Sequence, residues 1–182
     1  MMNFVRITEN DSLFAAIYDD DEDNILYQIF ENWNDIECLR KYFFNNISKL
    51  SYFGIPTVDR AIQRTIKDSN YFEEILLDVD SLTDLETIFE PIGQIDSAHC
   101  ILVKNKAKRK EKINYESWLR VYAIKVDIGC YVITGGAIKL TEKMYESDDT
   151  KEELLKLEKC RNYLKSNGVY DKFSFMDFLK NY

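Results

Sequence analysis

Between Trp118 and Thr141 the chain keeps up an almost unbroken strand-like pattern, and that pattern commits it to a β-sheet. Side chains alternate across a strand, so Leu119, Val121 and Ala123 face one way and Arg120, Tyr122 and Ile124 the other. Asp127-Ile128-Gly129 reads as the turn of a hairpin, with Cys130 to Thr134 as its returning strand. Gly135-Gly136 permits a kink or bulge before a further strand from Ala137 to Thr141, in which Ala137, Lys139 and Thr141 share a face. The first apolar set is expected to pack on helices. The opposite set places Arg120, Tyr122, Lys139 and Thr141 on an accessible surface, with Lys143 just beyond it.

The flanking sequence supplies the other layers. Asn3 to Thr8 and Leu13 to Tyr18 read as short strands joined by the turn residues Asn10-Asp11-Ser12. Apolar residues recur at spacings of three and four through 25–45, which predicts one amphipathic helix ending at Asn45-Asn46. Pro56 suits the first turn of a second helix running to about Leu77. A short helix over 84–89 is stopped by Pro91 and Gly93. Ala98 to Val103 reads as a strand and Lys104 to Lys112 as an exposed basic loop. Thr150 and Glu153 have the spacing of a capping box, so a helix is expected to open at Thr150 and to stop at Asn167-Gly168. A last short helix covers 173–179. Together these elements describe one α+β domain spanning 1–182, with an antiparallel sheet of about five strands and helices mainly on one face.

Composition excludes several classes of function. The chain has 182 residues and 46% hydrophobic content, enough for a packed core. No apolar run approaches the ~20 residues that a membrane helix needs. The N-terminus lacks the apolar core and cleavage site of a secretory signal, so a cytoplasmic protein is expected. The four cysteines are scattered singly and His99 is the one histidine, which disfavours a zinc site or a redox pair. Reduced, mostly buried thiols, a structural or surface role for His99 and a site without metal or cofactor are the expectation. The run Asp19 to Asp23 lacks the spaced ligands and central glycine of a calcium loop and reads as a solvated loop.

Charge is unevenly spread. Residues 1–98 hold 20 acidic and 7 basic side chains, whereas 99–182 hold 12 acidic and 17 basic. Such asymmetry suits a polyanion site in the basic half, and equally suits two halves that attract each other. Arg120, Lys139 and Lys143 are the candidates to offset phosphate charge, and Tyr122 could stack on a base or move a proton. Thr141, Lys125, Lys108 and Arg109 are candidates to bind the same substrate. Arg, Tyr, Lys and Thr are also ordinary residues on the wet face of a sheet.

Leu119-Arg-Val-Tyr122, Tyr131-Val-Ile133, Ile138-Lys-Leu-Thr-Glu-Lys143, Thr150 with Glu153, and Arg161-Asn-Tyr-Leu164 follow one another in an order that resembles the RelE/HigB-like toxins of bacterial toxin–antitoxin systems. The resemblance covers about residues 118–165. It implies a compact RelE-like C-terminal core, preceded here by an acidic, helix-rich extension. It also implies a metal-independent endoribonuclease that cleaves mRNA, free or on the ribosome, by attack of the RNA's own 2′-hydroxyl. Arg120 would then hold the scissile phosphate, Lys139 and Lys143 would contact phosphates, and Tyr122 would stack or transfer a proton. The implied partners are mRNA or the ribosome and a cognate antitoxin, for instance one of helix-turn-helix type. The alternative function is a non-catalytic binding or inhibitor protein, with a toxin-like fold or an acidic surface that mimics nucleic acid. A plain structural or adaptor domain is the third reading.

Overall fold

A computed structural model describes residues 2–19, 21–77, 82–93, 102–109, 117–140 and 148–181. In chain order the elements are β1 (Asn3–Arg6), β2 (Leu13–Ile17), α1 (Ile25–Asn34), α2 (Ile36–Asn45), α3 (Ile47–Leu50), a 3-10 turn (Ser51–Phe53), α4 (Val58–Leu77), α5 (Leu82–Ile88), β3 (Phe89–Pro91), β4 (Val103–Ala107), β5 (Leu119–Asp127), β6 (Cys130–Ile138), α6 (Asp148–Ser166) and α7 (Lys172–Lys180). The six strands form one sheet in the order β1-β2-β6-β5-β4-β3.

The sheet corrects the expected architecture. It is mixed rather than antiparallel, because β2 runs parallel to β6, with Leu13 opposite Tyr131 and Ala15 opposite Ile133. The remaining pairings are antiparallel. Strands from both halves of the chain therefore share one sheet, and the acidic half is built into it rather than appended to it. Helices also cover both faces. Leu119, Val121 and Ala123 pack with the apolar residues of α1, α2 and α4. Tyr122, Ile124 and Val132 pack with Leu157, Cys160 and Leu164 of α6 and with Phe175 and Phe178 of α7. Burial on both faces explains the near-continuous apolar run in β5 and β6.

Local chemistry accounts for the other departures. The expected 25–45 helix is two helices, broken where Asp35 adopts an extended backbone and caps α2 through the Glu37 and Cys38 amides. The short helix ends in β3 instead of a loop, since Phe89-Glu90-Pro91 pairs with Asn105 to Ala107. Pro91 is accommodated because β3 is an edge strand. Lys104 to Ala107, expected as loop, is most of β4. Residues 94–101, with His99 and Cys100, and 110–116, the end of the expected basic loop, lie outside the described residues. The strand expected after Gly135-Gly136 is continuous with β6, and the irregularity falls one residue earlier. Tyr122 pairs with Gly135 and Ala123 with Ile133, leaving Thr134 as the extra residue.

Two further contacts fix the layers. Trp118 is fully buried, donates from Nε1 to Thr65 Oγ1 on α4 at 3.0 Å, and carries the Arg64 guanidinium 4.2 Å from its ring centre. At the far end Gly168 takes the left-handed backbone that stops α6, and Asp171 and Ser174 close a capping box on α7. No helix among the described residues is long and apolar enough to cross a membrane.

Candidate functional site

Among the described residues, the sequence-derived basic side chains do not assemble into one open surface. Alternation places Arg120 and Tyr122 on a common face, and α6 lies over that face. Both side chains are buried. Arg120 spends Nη1 on the carbonyls of Ser117 and Leu119, at 2.6 and 2.7 Å. Burial pushes the Tyr122 phenol up to about 12, against a smaller opposing effect of Arg120, and its hydroxyl makes no hydrogen bond. Lys125, towards the other end of β5, donates to Glu86 at 2.5 Å. Lys108 sits 3.4 Å from Glu90. Arg109 forms a buried 2.8 Å pair with Asp68 and stacks 4.5 Å from the centre of the Tyr71 ring. Lys139 follows β6, half-buried, with its amide donating to Trp118 O at 2.7 Å. Thr141 and Lys143 lie outside the described residues.

A different site emerges at the end of β6. Strand β2 pairs only with residues 131–133, so Thr134 to Ile138 continue past it. Side chains meet the edge that β2 leaves. Tyr18 donates its hydroxyl to Thr134 O at 2.7 Å, and Tyr42 donates to Ile138 O at 3.0 Å. Between them the Gly136 amide hydrogen-bonds the Glu153 carboxylate from α6. Unsatisfied strand edges invite unwanted pairing, and here two tyrosines and a glutamate blunt the edge.

The paired glycines make that convergence possible. A Cβ on Gly135 would lie 1.6 Å from Glu153 Oε2, so the carboxylate occupies the space a side chain would fill. A Cβ on Gly136 would lie 3.0 Å from Ile29 Cδ1 and 3.1 Å from Trp33 Cζ2. One glycine admits α6 from above the sheet and the other admits α1 from below. The capping box expected at Thr150 is accordingly not how Glu153 is used. The helix already includes 148 and 149, and Glu153 reaches the sheet instead.

Glu153 is an uneasy carboxylate. Its side chain is only 9% exposed, and Oε1 takes the Lys156 ammonium at 2.6 Å. Oε2 makes no hydrogen bond of good geometry. Burial raises its pKa above the ordinary carboxylate value, with Lys156 and the Gly136 amide opposing that rise. Burial likewise drives the Tyr18 phenol and the Cys160 thiol upward, with Cys160 and Glu153 adding to the effect on Tyr18.

Beside this carboxylate is a cavity of about 290 Å³. Trp33, Leu39 and Tyr42 line it from the α1–α2 layer, Gly136 to Ile138 from the strand, and Glu152 and Glu153 from α6. Asn32 and Cys38 also line it. None of its described lining residues is basic. Next to it in sequence, Glu31, Asp35 and Glu37 are exposed. Hydrogen bonds from Cys38 hold Asp35 below the usual carboxylate range and raise the Cys38 thiol in turn. No group of three described His, Cys, Asp or Glu side chains converges to hold a metal. The sequence alone offers Trp33 and Tyr42 only as members of the apolar spacing through 25–45, and Glu153 only as part of a capping box. The glycine pair was the signal for this site, since adjacent glycines in a strand mark close approach by another group.

Compared with known proteins, the chain matches no family profile, and no curated protein or solved structure is significantly similar to it.

Proposed function

We propose that this protein is a non-catalytic binding protein, and that the α1–α2 side with its adjoining cavity takes a basic protein partner. The observation that carries this reading is the contrast between two sites. The Arg120–Tyr122 pair, which an RNA-cleaving site would need in the open, is sealed beneath α6. The concave surface at the end of β6 presents carboxylates and aromatic rings instead. Carboxylates repel phosphate and attract ammonium and guanidinium groups, so electrostatics favour a cationic polypeptide over RNA.

The test is location-specific, because any protein of net charge −8 attracts polycations weakly. Binding of a lysine-rich peptide is measured by calorimetry for Glu31→Gln/Glu37→Gln and for Glu73→Gln/Glu74→Gln, which removes two exposed carboxylates from α4. Loss confined to the first pair supports the reading, whereas equal loss in both refutes it. Incubation with RNA and ribosomes is the second arm. Metal-independent cleavage abolished by Lys139→Ala would restore the toxin-like endoribonuclease.

A further inference from the structure

We infer that this protein pairs with a second copy of itself through the outward edge of α2, antiparallel about a two-fold axis. Glu37 of each copy meets Lys41 of the other, and Phe44 of each lies towards the other's Ile36. The inference goes beyond the basic-partner reading and does not depend on it, since this edge and the cavity at the end of β6 are lined by different residues of α2.

Three observations converge on it. First, α2 carries apolar surface that its own chain does not cover. Its inner face is spent on the core through Leu39 and Phe43, whereas Phe44 is 69% exposed and Ile36 52%. Of the ten large apolar side chains exposed among the described residues, Ile36, Phe44, Ile47 and Tyr52 fall in this one stretch of chain. Single exposed apolar residues are ordinary, but a run of them marks a surface that something covers. Second, Phe44 stands at a groove of about 540 Å³ that Glu37, Arg40, Lys41 and Asn45 also line. An aromatic ring suits this groove because it packs on the arginine and lysine stems, and an aromatic ring is what the same surface offers. Third, the charges of the groove complement themselves. Glu37 and Lys41 lie one helical turn apart on one face of α2. Among the described residues neither makes an ion pair, whereas Arg40 is held by Asp59 at 2.9 Å. A two-fold axis midway between them sets Glu37 against Lys41 twice, and a two-fold interface requires that kind of self-complementarity.

Other occupants fit less well. A basic polypeptide would meet Arg40 and Lys41 in this groove, and a phosphate backbone would meet Glu37. A purely apolar partner would cover Glu37 and Lys41 with no opposite charge across the interface. One helix edge makes a small interface, so a weak, concentration-dependent dimer is expected.

The test is sedimentation velocity of the full chain at low salt over about 1–300 μM, with no peptide present. The parent is expected to pass from monomer to dimer across this range. Glu37→Lys and Lys41→Glu each set like charges opposite one another, and each should raise the dissociation constant roughly tenfold or more. An equimolar mixture of the two variants places lysines against glutamates at both positions and should recover the dimer, which damage to the fold of α2 could not produce. Phe44→Ser should weaken pairing with the far-UV circular dichroism unchanged. A parent that stays monomeric throughout overturns the inference. So does a dimer that persists in all three variants, because it uses another face. A mixture that stays monomeric removes the antiparallel pairing and likewise overturns it. Binding of the lysine-rich peptide to the parent that is lost in Phe44→Ser would assign the groove to the peptide instead of a second copy.

Discussion

Replacing Gly135 with alanine isolates the contact on which the β6 site is built. Gly135 does not occupy the left-handed region, so its backbone accepts alanine without strain. On an open strand the change would stabilise the protein by about 0.5–1 kcal/mol, because glycine loses more chain entropy on folding. Here the new methyl would sit 1.6 Å from Glu153 Oε2 and 2.8 Å from Cδ. The carboxylate must leave its seat, giving up the Gly136 amide and its bond to Lys156. Overpacking of this kind costs about 1–3 kcal/mol. In a Glu153→Ala background the obstruction is gone and the intrinsic gain should reappear. The two substitutions are therefore expected to couple by roughly 2 kcal/mol or more. Urea unfolding of the four proteins, followed by tryptophan fluorescence and far-UV circular dichroism, measures the coupling. An equal cost for Gly135→Ala in both backgrounds would refute the argument that the glycine exists to admit Glu153.

The pH dependence of Glu153 has a definite sign. Its folded pKa is raised, so its contribution is fully present below the unfolded carboxylate value and is lost as pH rises through the folded one. The stability of Glu153→Gln relative to the parent should thus improve as pH is raised above the ordinary glutamate range, and a flat difference across a pH series of urea midpoints would count against the burial argument. Asp68→Ala strands the buried Arg109 guanidinium and should cost about 3–5 kcal/mol; a loss under ~1 kcal/mol would show that the pair is solvated. Leu157→Ala removes a fully buried contact between α6 and the sheet and should cost about 2–5 kcal/mol, read from the same unfolding curves. A cost within ~0.5 kcal/mol would mean that α6 does not seal the Arg120–Tyr122 face.

Periodicity carried the sequence reading a long way. The β1–β2 and β5–β6 pairings and α4, α6 and α7 were all legible, because each strand pair has its own turn and each helix its own apolar spacing. The α+β class was legible too. The parallel pairing of β2 with β6 was not, since alternation says which face a residue takes but not which strand lies beside it. The same limit hid the candidate site. Alternation correctly placed Arg120 and Tyr122 on one face, yet could not say that a helix covers it. The covering helix is strongly charged along most of its length, and a few residues such as Leu157, Cys160 and Leu164 make the contact. Asp35 is a miss of another kind. Its capping chemistry was visible in the sequence, but the apolar spacing running through it was read as one helix.

The parallel β2–β6 pairing also governs how this protein can be made and cut. Its two strands are joined through more than a hundred intervening residues, and Tyr18 reaches Thr134 across a separation of 116. A nascent chain that has released only its acidic half holds a hairpin whose inner strand lacks its neighbour, with Leu13, Phe14 and Ala15 still uncovered. Closure waits for β6, and long-range pairing of this kind is slow and open to aggregation in the meantime. The two halves of opposite charge are thus not separable parts to be assayed one at a time. A fragment ending before β6 would expose one flank of β2, so deletion of the acidic half would remove part of the sheet rather than unmask a smaller enzyme.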